Sequence, residues 1–584
     1  VDSINVGFQL PQIVEERSEG PTKKVKRRVL LWSKVLWLLV LRIFTQAGML
    51  IFQAVRVGYT SVCTAYLWVY VRLLIELSPV NLEEETGGDT EQTTEQILPE
   101  PLPHLPDEFE KVFRQSLEQI KQQLPEWSEV SDAEKMLQVE RAIHLQCQRL
   151  ADKVTALIIK ERLGDEQFCK AARTKAYQRH PYMESVGKRD VHITLLGGTT
   201  IKVKTSYIVY RPGKNKRRGR RRGTGKRGKG GAGLYPALHQ LGFRDRISPA
   251  LQSTVARTAT EVASYEIARE MLRDRGIYIS YKRVRRITLA LGARALLNRQ
   301  EKLKQAQQGT LPHSDQWVGK RIAVTVDGGR ARSRIYRRGR RLANGRRRFA
   351  TDWCEPKMLS IYEIDENGKK VGKPVYDGTL GGWKDLLRLV IMHLKRTGGD
   401  RAREIVFIGD GGSWIWSIQR ELFALLPVPK KQAILDFYHA SGYLWQMIDK
   451  ATRWSEGQKK KWFKKHRRLL KKGRVDRILS SLQILKQNHR GWRRKKISNA
   501  IDYFTEHHLH MRYHIFKDCG MPTGSGAIES ALRQVVNLRL KSAGTFWLPE
   551  NAEKMLVLRC ALKSGRWDEL VQEVLGEDNL YLLP

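Results

Sequence analysis

Residues 322–329 read IAVTVDGG, a short run of apolar and β-branched residues that ends on Asp327 and two glycines. Such a run is typical of a buried strand, and the glycines end it and allow backbone or a ligand to approach closely. A strand that delivers one aspartate at its carboxyl end can hold a metal ion in a phosphoryl-transfer site. Taken alone, the same letters also fit an ordinary turn.

A second stretch repeats the pattern. Residues 404–412 read EIVFIGDGG, so Asp410 also follows an apolar strand and precedes two glycines. Two strands that present aspartate in the same way suggest that the carboxylates converge at one edge of a sheet. Magnesium needs one or two carboxylates together with phosphate oxygens of a substrate, and a pair of such ions can activate a water or a 3′-hydroxyl. The candidate third ligand is Glu529, which follows a Gly-Ser-Gly helix start at 524–526.

Further motifs follow in order along the chain, namely Ile434 to His439, Gly524 to Glu529, Arg539 to Gly544 with Trp547, and Leu558-Arg559. With the two Asp-Gly-Gly strands, they make the chain resemble the DDE transposases of the Mutator-like superclass. Within that superclass it is most similar to the ISKra-type insertion-sequence group. The resemblance covers about residues 190–570 and implies an RNase H-like catalytic fold.

The resemblance also implies the parts of an active site. Asp327, Asp410 and Glu529 would ligate Mg²⁺, with Mn²⁺ as a substitute ion. Asp436 and His439 would lie beside the site, where His439 can bond a phosphate near the scissile position and Asp436 can fix its orientation. A buried pair that only ties down the neighbouring segment is the alternative for these two residues.

Several other carboxylates compete for these roles. Asp377 also precedes a glycine, but we expect its Asn variant to keep substantial activity. Glu506 falls within a predicted helix, and Glu550 and Glu553 follow a proline on a separate helix. We expect the Gln variants of Glu550 and Glu553 to remain active.

The formal net charge is +44 over 584 residues, and the isoelectric point is about 10.1. This excess implies a polyanionic partner, most simply nucleic acid; a basic protein of a membrane surface is the competing interpretation. The six cysteines are scattered without a Cys-x-x-Cys pair, which argues against a zinc ribbon and a disulfide framework and for a reducing compartment. In residues 1–77, which are apolar, no charge-free run reaches the ~18 residues that cross a bilayer, so we expect no stable membrane association.

Basic residues concentrate in three places. The segment 214–229 is mostly Arg, Lys and Gly, and the loop 330–348 holds ten arginines. In residues 248–292 the pattern predicts two helices around Gly276, the second capped by Ser280. This is a helix-turn-helix pattern, for which a plain helical hairpin is the alternative. The predicted DNA contacts are Arg217, Arg218, Arg220, Arg221, Arg222, Lys282, Arg283, Arg285, Arg286, Arg337, Arg338, Arg340, Arg341, Arg346, Arg347, Arg348, Lys541 and Trp547.

The expected fold class is an α/β RNase H-like catalytic domain with an all-α insertion, plus N-terminal helical and helix-turn-helix DNA-binding regions. The expected segments are an apolar region of unclear role (1–77), an acidic, proline-containing linker (78–107), a helical region (108–189), a β-hairpin with the basic segment (190–234), the helix-turn-helix region (235–315), the first catalytic part (316–436), the helical insertion (437–519) and the second catalytic part with C-terminal helices (520–584). Four tryptophans of the insertion could stack on bases or form its core: Trp445, Trp454, Trp462 and Trp492.

The predicted function is a DNA transposase that binds the ends of an insertion sequence and catalyses metal-dependent strand cleavage and strand transfer. The expected partners are the terminal repeats and target DNA, together with further copies of the chain in at least a dimer. The expected location is the cytoplasm of a prokaryote, with the nucleoid. The alternative is a domesticated or repressor-like DNA binder without activity, which would have lost a carboxylate; all three candidates are present.

Overall fold

A computed structural model describes residues 107–123, 130–210, 233–343, 345–542 and 544–575. The apolar region 1–77 and the predicted contacts Arg217, Arg218, Arg220, Arg221 and Arg222 lie outside the described residues. The chain divides into two compact units, 1–123 and 124–584. Across the described parts of both, no helix has the length and apolar character needed to cross a membrane.

The described part of the first unit is α1 (Asp107–Gln123). The second unit begins with a helical and hairpin region that leads into a helical bundle. Its elements are α2 (Ala133–Gly164), α3 (Glu166–Arg179), β1 (Met183–Thr194), β2 (Thr200–Tyr210), β3 (Gly233–Leu234), α4 (Pro236–Gln240), α5 (Pro249–Glu261), α6 (Tyr265–Arg273) and α7 (Tyr281–Gln308).

The remaining elements build a sheet flanked by helices. They are β4 (Arg321–Gly328), β5 (Ala331–Tyr336), β6 (Phe349–Cys354), β7 (Lys357–Ile364), β8 (Lys370–Thr379), α8 (Trp383–Thr397), β9 (Glu404–Gly409), α9 (Ser413–Leu425), β10 (Lys430–Leu435), α10 (Phe437–Ala451), α11 (Glu456–Lys471), α12 (Val475–Gln487), α13 (Gly491–Glu506), α14 (Tyr513–Asp518), α15 (Gly526–Ala531), a π-helix (Leu532–Asn537), α16 (Pro549–Lys563) and α17 (Trp567–Leu575). The two strands expected before the aspartates of 322–329 and 404–412 are confirmed as β4 and β9.

The central sheet has five strands in the order β10-β9-β4-β7-β8. Within this sheet, the strands that come first along the chain are β4, β7 and β8, which pair antiparallel. Strands β9 and β10 follow and lie parallel to β4 on its other side. The fold is therefore mixed α/β. All three carboxyl ends of the parallel strands meet at one edge of the sheet.

Both faces of the sheet are buried, which is why its strands read as continuous apolar runs. Alternate residues of β4 point to opposite faces. Ile322, Val324 and Val326 pack with α8 and α9 in one core, whereas Ala323 packs with the helices of the insertion in another. The C-terminal helices α15 and α16 cover the rest of the second face around Met358.

Two strand pairs differ from the expectation. Strand β1 begins at Met183, inside the segment predicted to be helical, because its first half is largely exposed and no apolar period marks it. The arginine-rich loop is in part a hairpin, in which β5 pairs antiparallel with β6. Its tip, 337–348, carries the exposed arginines.

The helix-turn-helix pattern is present as local structure. The Ser280 hydroxyl accepts a hydrogen bond from the Arg283 amide (3.4 Å) and caps α7, and Val284, Ile287 and Leu291 are buried. Helix α7 is longer than expected, since it runs to Gln308 and packs on α8, α16 and α17. The second helix of the pattern is therefore continuous with the body that carries the sheet.

Asp377 belongs to this framework and not to the carboxyl edge. It is buried in β8, where it accepts hydrogen bonds from Arg299 of α7 (3.0 Å) and bonds the His393 Nε2 (2.9 Å). Although burial opposes it, the Arg299 guanidinium and the His393 bond hold the pKa of Asp377 well below its ordinary value. The expectation that an Asn variant keeps substantial activity stays a prediction, but that variant would remove one of the two carboxylates that face the buried Arg299, the other being Glu553 (2.7 Å), so we expect it to destabilise the fold.

Candidate active site

Three aspartates stand at the same level on the three parallel strands. The register between β4 and β9, continued past its last bonded pair, places Asp327 beside Asp410. The register between β9 and β10, continued by one residue, places Asp436 beside Asp410. Adjacent strands lie about 4.8 Å apart. The sheet itself thus gathers three carboxylates along one edge.

Asp327 interacts electrostatically with Asp410, Glu529 and Asp436. The pKa of Asp327 is raised from 3.8 to about 7, chiefly by burial and then by the negative charges of Asp410, Glu529 and Asp436. The hydrogen bond that the Asp327 carboxylate accepts from the Gly328 amide (2.6 Å) acts in the opposite direction. Burial and the neighbouring carboxylates therefore both favour the protonated form of Asp327.

Glu529 reaches this edge from α15, whose first turn it occupies, as predicted. Ile528 is fully buried against the sheet, whereas Glu529 is exposed and lines a cavity with Asp327 and Asp410. Helix α15 packs on β4 and β7. Helix α15, the first element after the insertion, therefore lies beside Asp327 and Asp410.

At two positions of the Asp-Gly-Gly motifs, Gly329 and Gly411, a larger residue would clash with neighbouring parts of the fold. A Cβ on Gly329 would lie 3.0 Å from Leu532 and 3.3 Å from Val536 of the π-helix that follows α15. A Cβ on Gly411 would lie 2.3 Å from the ring of Tyr503 in the insertion. One glycine therefore admits the segment that carries the third carboxylate, and the other admits the insertion.

Asp436 has a different role from the one predicted. One carboxylate oxygen accepts hydrogen bonds from the backbone amides of Tyr438 (2.6 Å) and His439 (2.9 Å), so it caps α10. The other accepts from the amide (2.6 Å) and the hydroxyl of Ser525. Asp436 does not bond the His439 imidazole. It ties the end of β10 to the segment that leads into Glu529, so it positions that carboxylate.

His439 is exposed and lines the cavity, which has a volume of about 540 Å³. Three neighbours on the same helix were missed by sequence reasoning: Tyr438, Tyr443 and Gln446 also line it. The last two follow His439 at the four- and seven-residue spacing of one helical face, which is the signal that could have found them. Neither lysine nor arginine is among the described residues that line this cavity.

The donor set fits a divalent cation of the magnesium type. In the described part of the chain, no group of three or more His, Cys, Asp or Glu side chains is close enough to hold a metal by itself. Magnesium does not require one, because it is usually bound through one or two carboxylates, substrate phosphate oxygens and waters. Asp327 and Asp410 would supply the carboxylates, and Glu529 faces the same space.

The predicted DNA contacts fall into two groups. The arginines of the hairpin tip are exposed: Arg337, Arg338, Arg340, Arg341, Arg346, Arg347 and Arg348. On α7, Lys282 and Arg285 are exposed as well. Arg283 and Arg286 instead engage Asp245: Arg283 donates to its carbonyl oxygen and Arg286 donates to its carboxylate, both at 3.0 Å. Of these four α7 side chains, Lys282 and Arg285 are therefore the ones available to bind a phosphate without breaking a contact to Asp245.

The expectation for Trp547 is wrong, because its side chain is only 7% exposed. The Arg539 guanidinium lies 5.0 Å from its ring, and its backbone bonds Arg332 and Arg334 of β5. Trp547 therefore fixes the arginine-rich hairpin to the C-terminal part of the fold. Lys541 is exposed.

The insertion tryptophans also divide. Trp445, Trp454 and Trp462 pack against the core of the insertion. Trp492 is 56% exposed at the start of α13. The core interpretation therefore holds for three of them.

In comparisons with known proteins, no protein-family model, curated protein or solved structure matches the chain.

Proposed function

We propose that this protein is a DNA transposase of the DDE type, with an RNase H-like catalytic fold, which cleaves the ends of a DNA element and joins them to target DNA. The observation that carries the proposal is the alignment of Asp327 and Asp410 at the same level of adjacent parallel strands, with Glu529 facing them across one cavity. The sheet order β10-β9-β4-β7-β8, with three antiparallel strands followed by two parallel ones, supports the fold assignment.

The charge distribution supports a nucleic-acid substrate. The chain carries a formal net charge of +44, yet the cavity that Asp327 and Asp410 share with Glu529 has no described lysine or arginine in its wall. The exposed arginines of the hairpin tip follow β5, which begins at Ala331, shortly after Asp327 at the end of β4. A polyanion held by arginine would need a cation to come close to Asp327 and Asp410.

In this mechanism the residues of the chain hold and orient the reactants. Bound magnesium would neutralise charge on the phosphate and activate the attacking oxygen. Asp327 and Asp410 would ligate it, and Asp327 would give up its proton as it does so. Asp436 keeps Ser525 and the start of α15 in place, so that Glu529 completes the ligand set. His439, exposed in the same cavity, would donate to a phosphate oxygen.

The test is cleavage of a labelled end of the DNA element that encodes the chain, with and without Mg²⁺. We expect metal-dependent cleavage and joining, reduced by orders of magnitude in Asp327→Asn and Asp410→Asn while end binding is retained. Asp518→Asn, an exposed aspartate that lines neither cavity of the site, is the matched control. Wild-type rates in either site variant would reject the assignment. A DNA binder without catalytic activity predicts end binding with no cleavage by any variant.

A further inference from the structure

Asp327 and Asp410 line a second cavity of about 520 Å³, whose other walls come from different elements. One wall is the end of the β5–β6 hairpin, with Trp353. The other is the first turn of α9, with Trp414, which follows Asp410 and its two glycines. Two indoles, the three carboxylates of Asp327, Asp410 and Glu355, and the side chain of Arg330 thus share one space beside the proposed catalytic edge.

Both indoles are accompanied by cations. Trp353 is 52% exposed and pairs across the hairpin with Arg332, whose guanidinium lies 5.3 Å from its ring. The Lys357 ammonium lies 5.4 Å from the ring of Trp414 and is also paired with the Glu355 carboxylate (2.8 Å), so Arg332 and Arg330 are the cations left to attract a phosphate. An aromatic face next to a cation is the arrangement that holds unpaired nucleotides, because the base stacks on the ring and the cation attracts the phosphate.

The same hairpin continues this pattern away from the cavity. The Arg334 guanidinium lies 4.5 Å from the ring of Phe349, which is 41% exposed. Trp353 is the aromatic residue of the described hairpin that reaches the cavity. A strand lying along the hairpin would therefore arrive at Asp327 through Trp353.

A base inside a duplex is stacked on its neighbours and cannot stack on a protein side chain. A cavity walled by indoles next to a phosphate site thus selects a strand with an unpaired nucleotide there. We propose that Trp353 and Trp414 form a pocket for one unstacked nucleobase of the strand whose phosphate lies at Asp327 and Asp410. This inference rests on the proposed function, since it places the scissile strand at that edge.

The pocket is tested by binding, without any need for cleavage. The probes are a blunt mixed-sequence duplex and the same duplex with a single-stranded overhang, each measured by fluorescence anisotropy with the full chain in Ca²⁺. We expect Trp353→Ala to weaken overhang binding about 5- to 150-fold, from the usual worth of base–aromatic stacking, and to leave blunt-duplex binding within about twofold. Trp353→Phe should restore most of the difference. Tyr182→Ala, which removes an exposed aromatic ring outside both the hairpin and the insertion, should change neither probe.

A 2-aminopurine in the overhang reports stacking directly, since its fluorescence falls when it stacks. We expect quenching by the wild type and by Tyr182→Ala, and no quenching by Trp353→Ala or Trp414→Leu. Trp414 is partly buried, so the melting temperature of Trp414→Leu is measured first. If Trp414→Leu does not fold, Trp414→Phe replaces it, and this variant should retain quenching because its ring can still stack on the base. Equal weakening of both probes by Trp353→Ala, or an unchanged overhang preference, would overturn the pocket.

The outcome separates this inference from the proposed function. If the protein cleaves DNA in the presence of metal but its preference for the overhang is the same in Trp353→Ala, the nucleobase pocket is rejected and the proposed function is kept. A Trp353-dependent preference without cleavage retains the pocket and removes the transposase assignment.

Discussion

Asp327→Asn should make the metal-free protein more stable at neutral pH while abolishing its proposed activity. The wild-type carboxyl has a pKa of about 7 because it is buried beside Asp410, Glu529 and Asp436. In the unfolded chain its pKa returns to the ordinary value near 3.8. At pH 8 the Asp327 carboxylate is ionised in both states, although the folded structure favours the neutral acid, and this lowers the free energy of unfolding. The neutral amide of the Asp327→Asn variant avoids that loss.

The magnitude follows from the linkage of proton binding to folding. A pKa raised from 3.8 to about 7 is a shift of about three units, each worth ~1.4 kcal/mol. The destabilisation is absent well below pH 4 and grows as the pH rises toward 7, so the wild type loses stability over this window. We expect Asp327→Asn to gain under ~1 kcal/mol at pH 4 and up to ~4 kcal/mol at pH 8.

The assay is urea denaturation of the metal-free protein at both pH values, with Asp518→Asn as the exposed control, which should change little at either. Adding Mg²⁺ at pH 8 should raise the stability of the wild type, because a ligand that binds only the folded state stabilises it, and should do so less in Asp327→Asn. If the variant is no more stable than the wild type at pH 8, or gains equally at pH 4, the reasoning from burial and repulsion among these carboxylates is refuted.

Three further results are expected. Glu529→Gln should lose cleavage and joining with end binding retained, measured on the labelled element end, whereas Glu550→Gln should remain active; an active Glu529→Gln enzyme would remove the third carboxylate. Neutralising Arg338 and Arg340 should weaken binding to all DNA and flatten the slope of log affinity against log salt by about 0.9 for each duplex phosphate that is no longer neutralised, whereas an unchanged slope would show that these arginines do not bind phosphate. Asp377→Asn should lose ~1.5–3 kcal/mol in urea denaturation at pH 7, because Arg299 and His393 lose a charged acceptor while Glu553 still pairs with Arg299, and a loss below ~1 kcal/mol would count against the contribution of Asp377.

The strands of the sheet could be predicted because their sequence signal is local. A strand buried on both faces must be apolar throughout, and β4 and β9 are largely so. Their shared ending in Asp-Gly-Gly suggested that Asp327 and Asp410 converge, and the parallel register explains why they do: the two strands begin at the paired residues Arg321 and Glu404 and have equal length up to the aspartates. The helical start at Glu529 was equally readable, since Gly-Ser-Gly and the apolar stripe behind it are neighbours in sequence.

The partners of the polar groups could not be predicted, because they are distant in the chain. Asp436 was expected to orient His439, three residues away, but its second oxygen accepts from Ser525 instead. Trp547 was expected at the surface, but its backbone joins β5 and its ring lies under Arg539. Neither contact leaves a periodic pattern in the sequence, because a single hydrogen bond or a single stacked ring involves only one residue from each of the two segments.

Arg559 shows how far this long-range dependence reaches. It is only 1% exposed, and sequence alone would place an arginine at the surface. Its guanidinium donates to the carbonyls of Val535 (2.8 Å) and Gln534 in the π-helix after Glu529, and to that of Thr260 near the end of α5. A π-helix leaves its carbonyls less regularly bonded than an α-helix does, and a buried carbonyl without a donor is costly. The segment that follows the third carboxylate is therefore stabilised by one side chain that also holds the helical region proposed to contact DNA, so the geometry of the site depends on how that region is packed.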